Sequence, residues 1–95
     1  NKTGSVFSFA ASLADPSGQL ELQVYTSEPG LQLYTGNLLK GHFSNRNGQV
    51  VTQYAALCLE TQHYPDSPNH PQFPSTILQP GEKYLSKTVY KITEN

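Results

Sequence analysis

The chain has no methionine, one cysteine (Cys58) and one arginine (Arg46) among its 95 residues. A single cysteine excludes an internal disulfide framework and a cysteine-based zinc site. One arginine and a formal net charge of −1 leave no electrostatic footprint for nucleic acid. No apolar run approaches the ~18–20 residues of a membrane span, so no membrane partner is expected. Charged residues make up only 14% of the chain, against about 25% in an average soluble domain. Hydroxyl, amide, glycine and proline residues fill that gap, as they do in β-rich proteins. Without methionine, and opening on Asn1-Lys2-Thr3-Gly4, the chain reads as a processed product or, preferably, a piece of a longer protein. Asn1-Lys2-Thr3 also matches a glycosylation sequon, a weak signal at this position.

The length suits one domain, burying roughly 60–65% of its unfolded surface, so a modest core is expected. Alternation at period two dominates. Leu20, Leu22 and Val24 share one strand face, and Phe7, Phe9, Ala11 and Leu13 are expected to share another. Between them, Asp15-Pro16-Ser17-Gly18 suits a tight turn, which predicts a β-hairpin. Glu28-Pro29-Gly30 predicts a turn with positive φ at the glycine, followed by a short strand over 31–35. Residues 36–49 read as loop, and 50–62 as extended. Five of the seven prolines fall within 65–80, which excludes a helix or central strand there. Tyr64, His70, Phe73, Ile77 and Leu78 are interleaved with them, which predicts a stiff loop packed on a surface rather than a linker. Gln79-Pro80-Gly81-Glu82 is a further turn, and 84–93 a final strand. No segment holds a 3.6-residue apolar period. The fold class is all-β, an antiparallel β-sandwich or part of one.

Glu60 is the first candidate for chemistry. It ends Ala55-Ala56-Leu57-Cys58-Leu59-Glu60, and a carboxylate in so apolar a strand tends to be desolvated, which favours action as a base near neutral pH. The plain alternative is a strand-end glutamate that reaches water. Gln32 alternates with Leu31 and Leu33; it could orient a polyol by hydrogen bonds, or simply face solvent. His42, His63 and His70 show no metal-ligand spacing, and a surface or loop-anchoring role suits them better than catalysis. Cys58 reads as a small buried hydrophobe, and most of the six tyrosines as packing residues.

Three stretches carry a more specific signal. They are Glu28-Pro29-Gly30-Leu31-Gln32-Leu33-Tyr34-Thr35-Gly36-Asn37, then Cys58-Leu59-Glu60-Thr61-Gln62-His63-Tyr64-Pro65-Asp66-Ser67-Pro68-Asn69, then Phe73-Pro74-Ser75-Thr76-Ile77-Leu78-Gln79-Pro80-Gly81-Glu82. In this order and spacing they closely resemble the C-terminal part of the aldose 1-epimerase (galactose mutarotase) family, over about residues 20–92. The resemblance implies that residues 1–95 are the C-terminal portion of a larger antiparallel β-sandwich domain, whose N-terminal portion is a required partner. It implies Glu60 as general base, Gln32 as a sugar-binding residue, and a general-acid histidine upstream of this chain. It implies a cytoplasmic isomerase that interconverts the α and β anomers of free aldohexoses such as galactose and glucose, without metal or organic cofactor. On that reading the chain alone is inactive. Two rival readings stand beside it: a non-catalytic carbohydrate-binding sandwich, and a sister epimerase acting on hexose 6-phosphate. The second calls for a basic cluster to hold phosphate, and Arg46 alone offers little.

Overall fold

A computed structural model describes residues 6–95. The Asn1-Lys2-Thr3 sequon lies outside the described residues. Five strands form in chain order: β1 Ser8–Ala14, β2 Leu20–Thr26, β3 Gly30–Tyr34, β4 Cys58–Gln62 and β5 Thr88–Glu94. They make two antiparallel sheets, β1-β2-β5 and β3-β4. The chain is all-β and sandwich-like, as its alternation predicts.

The β1–β2 hairpin forms where expected. Asp15 closes its turn by accepting from the Leu20 amide (3.0 Å) and from the Ser17 hydroxyl (2.5 Å). These bonds hold the exposed Asp15 carboxyl below the usual carboxylate range, the Ser17 hydroxyl contributing most. Gly18 completes the turn at φ +75°, a conformation that disfavours other residues.

One expectation about β1 fails. The register runs Phe9↔Tyr25 and then Ala11↔Val24, so Ala10 is a bulge. An extra residue resets the alternation, and Phe9 and Ala11 lie on opposite faces. Phe7 and Phe9 therefore pack on Tyr25, at ring distances of 6.3 and 5.6 Å, while Ala11 and Leu13 join Val24 and Leu22.

Gly30 also departs from expectation. It is not left-handed; it opens β3 opposite Gln62. Its role is close approach, since a Cβ there would stand 3.1 Å from both Gln62 O and Tyr64 Cδ1. The extended reading of 50–62 shrinks to β4. The segment 50–57 finds no strand partner beyond a bridge from Val50 to Ser44, and it turns at Tyr54 with φ 61°. The last strand likewise begins at Thr88 rather than 84, because residues 82–87 lie beyond the end of β2.

The proline-rich loop contains one 3-10 turn, Ser67–Asn69, with Pro68 in its first turn, where proline is tolerated. Tyr64, Phe73 and His70 do cluster, with ring centroids 5.0 and 4.8 Å apart along the series. Ile77 and Leu78 do not pack; both are mostly exposed.

The core is smaller than modest: Val24 is the one fully buried apolar side chain among the described residues. Between the sheets runs a hydroxyl chain. Thr88 Oγ1 bonds both Thr26 Oγ1 (3.0 Å) and Thr61 Oγ1 (2.8 Å), and Thr26 Oγ1 also accepts from the Glu28 amide (3.0 Å). Tyr90 donates to the Leu59 carbonyl at 3.0 Å. Each of these polar contacts is directional, so the two sheets have little freedom to slide.

Candidate active site

The β3–β4 ladder pairs Gln32 directly with Glu60, and the neighbouring pair is Gly30 with Gln62. Residues opposite one another in an antiparallel pair project from the same face, with Cβ atoms about 4.5–5.5 Å apart. Gln32 and Glu60 thus stand side by side on one face, as neighbouring-strand placement requires. Gln62 joins them: its Nε2 donates to Gln32 Oε1 at 3.4 Å. Tyr34 and Cys58 form the adjacent pair on the same face. This row offers a carboxylate, two amides and a phenol to whatever lies above it, a set suited to a polyol.

Within this chain the apolar run does not bury Glu60. Its side chain is exposed, as is that of Gln32, because β4 is a short strand whose polar side meets solvent here. Cys58 is exposed too, for the same reason. His42 and His70 lie in loops, outside the strands of this ladder; His70 Nε2 is 3.1 Å from Asp66 Oδ2, a loop-anchoring contact.

A second polar cluster was not visible in the sequence. Glu28 is only 4% exposed. Its Oε1 accepts from the Tyr84 hydroxyl, and its Oε2 lies 2.9 Å from His63 Nδ1 without a well-aligned hydrogen bond. Burial pushes the Glu28 carboxyl up. Bonds from Ser86 and Tyr84, together with His63, outweigh it and hold the group below the usual carboxylate range. The bond to Glu28 holds the Tyr84 hydroxyl up. His63 follows Gln62, so alternation turns it to the side of β4 opposite Glu60, toward the second sheet. A cleft of about 230 Å³ adjoins the cluster and includes Pro29, Lys83 and Leu85 in its wall. Glu28 and Tyr84 are 56 positions apart, and no local pattern announces such a contact.

A polar row on an antiparallel sheet, with carboxylate and amide in register, offers hydrogen-bonding groups but assigns neither ligand nor reaction. Comparison with known proteins narrows both. The family model for aldose 1-epimerase matches residues 2–91. The chain is 51% identical over 77 residues to galactose mutarotase of Mus musculus, covering 81% of this chain and 22% of that protein. It is 47% identical over 72 residues to galactose mutarotase of Homo sapiens, covering 76% of this chain and 21% of that protein. It is 43% identical over 84 residues to aldose 1-epimerase of Escherichia coli (strain K12), covering 86% and 24%. The chain belongs to the aldose 1-epimerase family, and it spans about a fifth of the length of the relatives it matches.

Proposed function

We propose that these residues form the C-terminal portion of an aldose 1-epimerase acting on free aldohexoses such as galactose and glucose. Glu60 is the general base and Gln32 a substrate-binding residue. The observation that supports this reading best is the direct cross-strand pairing of Gln32 with Glu60 on one exposed face, in a chain of this family. Sugar hydroxyls bound to the Gln32 amide place the anomeric hydroxyl against the neighbouring carboxylate.

The chemistry is a pair of proton transfers. Glu60 takes the proton of the anomeric hydroxyl while an acid delivers one to the ring oxygen. The ring C–O bond breaks and an open-chain aldehyde forms. Rotation about the C1–C2 bond presents the other carbonyl face. Closure then returns the proton from Glu60 to the anomeric oxygen and restores the acid. Base and acid must stand on opposite sides of the ring. In this reading the acid is a histidine of the N-terminal portion, as the family resemblance implies; His63 is engaged by Glu28 instead.

The test is polarimetry on the complete protein that carries this chain. α-Galactose and α-glucose should mutarotate faster than the spontaneous rate, and glucose 6-phosphate should not be preferred. Gln32→Ala should raise KM and lower kcat moderately, about tenfold in kcat/KM. A preference for the phosphorylated sugar would move the assignment to a sister epimerase.

A further inference from the structure

We propose that Glu28 and His63 are positioning residues that hold the Gln32–Glu60 pair in register from behind the sheet. The inference rests on the assignment of Glu60 as base. Glu28 lies two residues before β3 begins, and His63 is the first residue after β4 ends. Their contact of 2.9 Å therefore joins the two strand ends at the Gly30↔Gln62 rung. The next rung of the same face is Gln32↔Glu60.

The same carboxylate reaches a third element. Tyr84 binds its other oxygen, tying the segment that leads into β5. The Glu28 amide then continues through the hydroxyls of Thr26 and Thr88 to Thr61, the residue next to Glu60. Glu28 thus reaches the residues on either side of Gln62, His63 through its side chain and Thr61 through its backbone.

A charged group is a costly way to staple two strand ends. Apolar residues of the same volume would do so at equal or better stability. They would also permit sliding along the strand, whereas a carboxylate with one oxygen bonded by Tyr84 and the other 2.9 Å from His63 Nδ1 resists displacement along it. Misplacing a reacting group by 1 Å can cost about a hundredfold in rate. A rigid register is therefore worth more to this site than the stability lost by burying the charge.

The experiment uses the complete protein with Glu28→Gln, His63→Asn and His63→Leu, and Glu60→Gln as reference. Three readouts are taken below the unfolding range: galactose-binding stoichiometry, kcat, and the side-chain amide NMR signals of Gln32 and Gln62. Glu28→Gln and His63→Leu should bind galactose at full stoichiometry, with kcat lower by about ten- to a hundredfold. His63→Asn places an amide N–H where imidazole Nδ1 stands, and it should recover most of the loss that His63→Leu shows. The Gln32 and Gln62 amide signals should move in Glu28→Gln and His63→Leu. If Glu28→Gln does not fold, the two His63 variants carry the comparison. A fully binding Glu28→Gln with wild-type kcat would overturn the proposal. So would a rate loss that only tracks lost stoichiometry, a His63→Leu no worse than His63→Asn, or unmoved amide signals. Wild-type turnover in Glu60→Gln would refute the base instead, and the amide signals would still decide the clamp.

Discussion

Two glycines separate steric crowding from backbone strain, and their substitutions should differ in kind. At Gly30 the backbone is ordinary strand, but an added Cβ would lie 3.1 Å from Gln62 O and 3.1 Å from Tyr64 Cδ1. The carbonyl belongs to the paired strand, and the Tyr64 ring is backed by Phe73. Neither yields freely. Overpacking of this kind costs about 1–3 kcal/mol, and the reduced entropy of the unfolded chain returns about 0.4–1 kcal/mol. Gly30→Ala should therefore destabilise the β3–β4 ladder by about 1 kcal/mol, the difference between the mid-range values of those terms. At Gly18 there is no atom within 4 Å, but φ is +75°. Gly18→Ala should cost about 1 kcal/mol through strain alone. Asparagine tolerates that conformation. Gly18→Asn should then be nearly neutral, while Gly30→Asn should be worse than Gly30→Ala. Amide hydrogen exchange reads this locally. Openings of β3 and β4 should rise about fivefold per kcal/mol in Gly30→Ala, with the β1–β2 hairpin unaffected. Faster exchange in the hairpin instead, or a stabilised ladder, would refute the reasoning.

Other outcomes follow from the same geometry. The Glu28 carboxyl is depressed below 4.5, so its contribution is complete above that pH and is lost as pH falls through its folded value; denaturant titrations across the acid range should show a slope that Glu28→Gln flattens. Thr88→Val removes the hydroxyl shared by Thr26 and Thr61 and should cost about 1–2 kcal/mol in chemical unfolding. Val24→Ala removes two carbons from a fully buried site and should cost about 2 kcal/mol by the same assay.

Much of this arrangement is legible residue by residue. The alternation of Leu20, Leu22 and Val24 and the Asp-Pro-Ser-Gly turn define the hairpin, because both signals are local. The bulge at Ala10 is not legible, since Phe7, Phe9, Ala11 and Leu13 alternate without a break and only the pairing partner reveals the slip. The segment before Cys58 is apolar enough for a strand, but a strand needs a partner, and sequence does not say where partners end. Gln32 and Glu60 stand out as polar residues among leucines, and the register joins them. Within these residues Glu60 is exposed, because the apolar neighbours along its strand lie partly on the other face. Glu28 was legible only as a turn residue, and its burial depends on Tyr84 and His63 arriving from distant segments.

The most direct test of Glu60 as the base is anomer exchange, followed by NMR on galactose with the complete protein and its Glu60→Gln variant. The amide keeps the shape and loses the proton acceptor. Exchange should fall by about 10²–10⁴-fold while galactose binding persists. Exchange by Glu60→Gln at close to the wild-type rate would contradict the account.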